Sequence, residues 1–135
     1  MARYVLDASV MIAANRPNEP DHYPSVARIE RALTGDDELV LPVTFGIEIA
    51  GALGRANVTE LEIISLLDAL SRPPHTLVTI GPKRSRMIQR MAVSTKLRGA
   101  DAIYVWTAAR YGIPLCTLDR EMARRAAALC QVMTP

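Results

Sequence analysis

Four carboxylates define the chemistry open to this chain. Asp7 ends the apolar run Tyr4-Val5-Leu6, and Asp119 ends Pro114-Leu115-Cys116-Thr117-Leu118 in the same way. Asp101 stands at the start of an apolar segment running from Gly99 to Ala109, and Glu48 is the lone acid between Val43 and Ala52. Singly, each has a plain structural reading. An Asp or Ser after a strand caps the next helix by accepting hydrogen bonds from its free amides, and an acid in a first turn is favoured by the helix dipole. Glu48 is harder to explain, because a carboxylate in an apolar helix is costly to bury unless an arginine or a divalent cation meets it. Together, four converging carboxylates repel and raise one another's pKa unless a cation holds them ionised. Donors that are all oxygen favour Mg²⁺ or Mn²⁺ over zinc.

No other constellation competes. Cys116 and Cys130 lack metal-ligand spacing and have apolar neighbours, so they read as small buried side chains. His22 and His75 stand alone beside polar residues and prolines, which suggests exposed loop positions. No G-x-S-x-G and no Gly-rich phosphate loop is present.

The elements that must position the acids alternate. Tyr4-Val5-Leu6 predicts a buried strand and Ser9 to Asn15 a helix, with Arg16-Pro17-Asn18-Glu19-Pro20 as a loop. Val26, Ile29, Ala32 and Leu33 give His22 to Leu33 a helical period, and Asp36-Asp37-Glu38 reads as a solvated turn, since three adjacent carboxylates in one turn repel. Leu39-Val40-Leu41 predicts a second strand, with Pro42 in the first turn of a helix that reaches Arg55. Thr59 and Glu62 have capping-box spacing for a helix to Ser71, with Leu61, Ile64, Leu67 and Leu70 on one face. Leu77 to Ile80 is strand or extended chain. A helix from Pro82 places Met87, Ile88 and Met91 inward and Lys83, Arg86 and Arg90 outward. Gly112 closes the helix that carries Asp101, Arg120 to Leu129 is a last helix, and Gln131-Val132-Met133 is a short edge strand.

Strand and helix in alternation imply a largely parallel sheet of four or five short strands with helices on both faces. In such sheets the crevice lies beyond the carboxyl ends of the strands, where all four acids can point. A length of 135 residues, half of them apolar, suits a single domain spanning 1–135. No run approaches the roughly 20 apolar residues of a membrane span, and the first residues lack a secretory pattern, so a cytoplasmic protein without membrane contact is expected. The net charge is +2, unevenly spread: seven lysines and arginines and no acid lie between Asp68 and Asp101. A basic stretch beside an acidic cluster suits a polyanion held by its phosphates over a metal site, and equally a solvated helix face.

In order and spacing, Leu6-Asp7-Ala8-Ser9, Glu48-Ile49, Leu97-Arg98-Gly99-Ala100-Asp101-Ala102 and Thr117-Leu118-Asp119 resemble the motifs of PIN-domain ribonucleases, most closely the VapC toxins of toxin-antitoxin pairs. The resemblance implies a PIN-like three-layer α/β/α fold and a metal-dependent endoribonuclease using Mg²⁺ or Mn²⁺. By that likeness Asp7, Glu48, Asp101 and Asp119 are catalytic, with Asp7, Asp101 and Asp119 the direct ligands and Glu48 either a ligand or a positioner of water. Thr117 orients an acid, and Ser9 does the same for Asp7 or only caps its helix. Lys83, Arg86 and Arg90 are the candidates for holding RNA. A VapB-like antitoxin and a homodimer are the implied partners. Two alternatives stay open: a catalytically silent PIN-like module that binds RNA or protein, and a receiver domain. The second expects paired acids after the first strand and a late lysine, whereas the last lysine here is Lys96.

Overall fold

The complete burial of Tyr4, Val5 and Leu6 marks the centre of the molecule, a computed structural model describing residues 1–135. These residues belong to β1 (Ala2–Leu6), the middle strand of a five-stranded sheet in the order β3-β2-β1-β4-β5. All four pairings are parallel. The partners are β2 (Asp37–Pro42), β3 (Thr76–Val78), β4 (Leu115–Cys116) and β5 (Val132–Met133). Strands buried on both faces need no polar alternation, which is why they read as short continuous apolar runs. Parallel strands also need long crossovers. These are α1 (Ala8–Ala14), α2 (His22–Leu33), α3 (Thr44–Arg55), α4 (Glu60–Leu70), α5 (Pro82–Thr95), α6 (Gly99–Tyr111) and α7 (Arg120–Ala126). Helices α1 to α4 pack against one another, while α6 lies on β1 and β2 and carries α5 and α7. The result is the expected α/β/α arrangement, and no helix is long and apolar enough to cross a membrane.

Local signals account for most element ends. Thr59 Oγ1 accepts the Glu62 amide and the Glu62 carboxylate accepts the Thr59 amide, both at 3.3 Å, so the capping box closes as its spacing predicts. Gly112 ends α6 at φ +63°, a conformation that costs an L side chain energy and glycine little. Pro42, expected to open a helix, instead ends β2, and α3 starts two residues later. The strand expected from Pro114 to Leu118 forms its ladder only at Leu115 and Cys116. The last helix stops at Ala126, short of Leu129.

Several expectations of burial are overturned. In α4 the inward residues are Ile63 and Leu70, while Leu61 is 79% exposed and Ile64 about half exposed. A helix apolar on several sides does not by itself say which side faces the sheet. In α5, Ile88 is buried and Met91 partly so, but Met87 points outward. His75 is not an exposed loop residue. It is buried, its Nδ1 accepts the Leu39 amide at 3.0 Å and its Nε2 donates to the Ala32 carbonyl at 2.9 Å, tying β2 to α2. His22 is half-buried at the start of α2 and bonds the Ala13 carbonyl through Nδ1 at 3.0 Å.

The largest departure concerns Asp36-Asp37-Glu38. Asp37 opens β2 and is completely buried. It accepts two hydrogen bonds from Arg31 at 3.0 Å, one from the Tyr4 hydroxyl at 3.1 Å and one from the Ala2 amide at 3.2 Å, with Arg28 at 3.7 Å. Successive strand residues point to opposite faces, so Glu38 turns away to pair with Arg3 at 2.9 Å. Asp36 stays exposed beside the Thr34 hydroxyl. The repulsion that argued for a turn is absent because each acid meets a different partner.

Candidate active site

A parallel sheet ordered 3-2-1-4-5 reverses direction between β1 and β4, and such a switch point, beyond the strand ends, is where sheets of this kind place a ligand crevice. Val5 pairs with Leu115 and Leu6 with Cys116. The next residues across that junction are Asp7 and Thr117, which sequence places 110 positions apart. Thr117 Oγ1 donates to Asp7 Oδ2 at 2.8 Å and Ser9 Oγ donates to the same oxygen at 2.6 Å. Each hydroxyl also accepts an amide: Asp119 N–H on Thr117 at 3.0 Å and Leu118 N–H on Ser9 at 3.1 Å. A hydroxyl has one proton to give, so these amides leave both protons aimed at Asp7. Both hydroxyl bonds thus fall on Oδ2, and neither takes Oδ1. Both supporting residues named from sequence are thus brought to Asp7, and neither hydroxyl caps α1, whose N-cap has no side-chain bond.

The other three acids face the same crevice. Asp101, in the first turn of α6, lies close enough to raise the pKa of both Asp7 and Glu48. Burial is the main cause of the upward shift at Asp7; the two hydroxyl bonds oppose it and the Asp101 charge adds to it. Glu48 is also raised, first by burial and then by the charge of Asp7. Neither Glu48 nor Asp7 has a lysine or arginine nitrogen within ion-pair distance, whereas Asp101 and Asp119 share Arg98. Asp119 caps α7 through Oδ1, which accepts the Met122 amide at 3.0 Å, and turns Oδ2 to the crevice.

Two side chains complete the site that the sequence reading did not assign to it. Arg98 donates from Nε to Asp101 Oδ2 at 3.0 Å and from Nη2 to Asp119 Oδ2 at 3.4 Å. Tyr104 is 1% exposed, and burial first, then the charges of Glu48 and Asp7 beside it, push the pKa of its hydroxyl up. Both were detectable in principle: Arg98 stands three residues before Asp101 and Tyr104 three after it, spacings that share a helix face. Three or more of the acids do not already form a ligand cage. Two of them are turned instead to one guanidinium.

The donor set nevertheless suits a hard divalent cation. All candidate ligands are oxygens, and the Asp7 carboxylate is held in one orientation by two hydroxyls that both fall on Oδ2. Lys83, Arg86 and Arg90 are exposed on the outer side of α5, without carboxylate partners within ion-pair distance, and Arg86 and Arg90 border a shallow open groove with Gln89 and Val93. None of the three touches the acids. Arg84, in the same helix, is committed elsewhere: it donates to the Thr79 carbonyl at 2.9 Å and lies over the Trp106 ring.

A five-stranded parallel sheet with acids at its switch point is the arrangement of a known family. Residues 4–128 match the family model of the PIN domain, and the chain belongs to that family. Ribonuclease VapC31 of Mycobacterium tuberculosis is 25% identical over 132 residues, covering 91% of this chain and 93% of its own length. Among solved structures, FitAB bound to an IR36 DNA fragment superposes with a TM-score of 0.66 at 18% identity, covering 98% of this chain and 94% of that one. VapBC2 from Rickettsia felis, bound to a DNA fragment from its promoter, gives 0.64 at 14% identity and covers 98% of both chains. These two likenesses concern the fold.

Proposed function

We propose that the protein is a metal-dependent endoribonuclease, the toxin of a toxin-antitoxin pair. The observation that carries this reading is the meeting of Asp7, Glu48, Asp101 and Asp119, spread over 113 positions, at one crevice of a PIN fold. Likeness to a ribonuclease over nearly the whole chain supports the choice of RNA. Asp7, Asp101 and Asp119 would hold Mg²⁺ or Mn²⁺, and a bound ion supplies an acidified water and neutralises charge on the phosphate. The chain's own contribution is geometric. Ser9 and Thr117 lock the Asp7 carboxylate through Oδ2, so that Oδ1 would be the oxygen available to an ion. Glu48, with its raised pKa, is suited to accept a proton from the attacking water, and Tyr104 donates to the atom that Glu48 or the water presents. No side chain acts as nucleophile. Cleavage of single-stranded RNA in Mg²⁺, abolished by EDTA and absent on the matching DNA, is the expected result. Intact RNA with Mg²⁺ and Mn²⁺ across varied sequences overturns it and favours a silent binding module, the reading that Arg98 between two of the acids would otherwise support.

Asp7 and Glu48 also give a pH signature. Their folded pKa values are raised, so the stability they contribute without metal is full below the unfolded carboxyl values and is lost as pH rises through the folded ones. A divalent ion binds the ionised forms and reverses that loss. Saturating Mn²⁺ is therefore expected to raise the melting temperature by about 5 °C at roughly pH 7.5, and by progressively less toward pH 5. An increment independent of pH, followed by scanning fluorimetry, contradicts binding at these carboxyls.

Lys83, Arg86 and Arg90 hold the RNA strand by its phosphates. Replacing Arg86 and Arg90 with Ala is expected to reduce the slope of log K against log salt by about 1.4, the contribution of two single-strand phosphate contacts. An unchanged slope in fluorescence-anisotropy titrations moves the strand to another face. The partners are a VapB-like antitoxin and a second copy of the chain. An apolar groove of about 250 Å³ between α1, α2, α3 and α4, floored by Met11, Ile29 and Leu53, suits an antitoxin segment. Exposed Ile47 of α3 and Leu61 and Ile64 of α4 suit a homodimer contact.

A further inference from the structure

We infer that Arg98 is a built-in competitor for the metal, a tethered cation that holds Asp101 and Asp119 until a divalent ion displaces it. The inference rests on the metal-site reading above and deepens it. Four acids in one crevice need positive charge, and in this structure Arg98 provides it: its two nitrogens reach Oδ2 of Asp101 at 3.0 Å and Oδ2 of Asp119 at 3.4 Å. Both carboxylates are mostly shielded from solvent, whereas the Arg98 side chain is 79% exposed. A guanidinium anchored at one face and open to water on the other can leave by rotating its stem, with no movement of the backbone.

The same contact explains why the acids do not already form a cage. Asp119 Oδ1 is occupied by the Met122 amide, so Oδ2 is the oxygen it has for a ligand, and Arg98 is on it. Asp101 likewise spends Oδ2 on Arg98. An ion that takes Asp119 Oδ2 must displace Arg98 Nη2, one that takes Asp101 Oδ2 must displace Nε, and its affinity is lowered by whatever the broken contact is worth. Arg98 therefore sets the metal concentration at which the site fills.

Calorimetric titration of Mn²⁺ into RNA-free protein separates the possibilities without any assay of cleavage. Arg98→Gln is expected to bind Mn²⁺ about five- to tenfold more tightly than the natural chain, reflecting two lost ion pairs. Arg120→Gln is the control: it removes the same charge from the exposed residue beside Asp119, which pairs with neither carboxylate, and should change affinity less than about twofold, as expected of a screened surface charge. Equal affinity in Arg98→Gln and the natural chain, or equal tightening by Arg120→Gln, overturns direct competition while leaving the metal site standing. Absence of Mn²⁺ binding in all three proteins removes the metal site itself, and the competitor with it.

Discussion

Asp7→Asn is expected to lower Mg²⁺-dependent RNA cleavage by about a thousandfold, which corresponds to roughly 4 kcal/mol of transition-state stabilisation. Asparagine keeps the shape of aspartate and can still accept the Ser9 and Thr117 hydroxyls through its one carbonyl oxygen. That geometry leaves its amide group where Asp7 presented Oδ1, so a donor faces the cation in place of an acceptor. The fold has no reason to suffer. Burial already disfavours the Asp7 charge, so a neutral isostere removes a cost, and the metal-free melting temperature at neutral pH should be equal or higher. Loss of cleavage together with a lowered melting temperature would instead describe a structural acid. Retained cleavage by the purified variant would remove Asp7 from the chemistry.

Asp37→Asn is expected to do the reverse: destabilise without touching the site. The residue lies where β1 and β2 begin, at the opposite end of the strands from the crevice, and receives Arg31, Tyr4, Ala2 and Arg28. Breaking a buried ion pair by neutralising one partner costs about 3 to 5 kcal/mol, and the partial exposure of Arg31 and Arg28 places this case near the lower end, about 3 kcal/mol. A loss of that size lowers the melting temperature by about 10 °C in a chain of this length. The sign with pH is also fixed. Hydrogen bonding by Arg31, above all, holds the folded pKa of Asp37 below the ordinary value. Its contribution is thus full above the unfolded value, near 3.9, and is lost as pH falls through the folded value. The variant should lose that part of the acid sensitivity, read from denaturant melts between about pH 6 and pH 3. Cleavage per folded molecule at low temperature should be unchanged; a parallel fall in cleavage would mean that the two ends of the sheet are coupled.

The two residues also show what was legible in the sequence and what was not. Asp7 could be placed because a short apolar run followed by Asp and Ser is a local pattern, and the parallel sheet it implies fixes where strand ends go. The same holds for the capping box at Thr59 and the closure of α6 at Gly112. Asp37 is not legible in the sequence because its partners come from Tyr4 and from α2, and nothing in Asp36-Asp37-Glu38 announces an arginine arriving from another element. The burial of His75 is hidden for the same reason: its two partners, Ala32 and Leu39, belong to a helix and a strand more than 30 positions away. In α4, leucines and isoleucines on several sides gave a helix but no orientation. Arg98 is the instructive case at the site, since a charge count places it among seven basic residues without distinguishing the one that turns inward to the acids.

Anomalous diffraction from crystals soaked in Mn²⁺ tests most directly whether these four acids are arranged for a divalent cation. A peak bonded to Asp7 Oδ1 and to a carboxylate oxygen of Asp101 or Asp119, with Arg98 turned away from both, is the expected result. Fully occupied Mn²⁺ elsewhere on the molecule, with Arg98 still bridging Asp101 and Asp119 in protein that cleaves RNA, would contradict it.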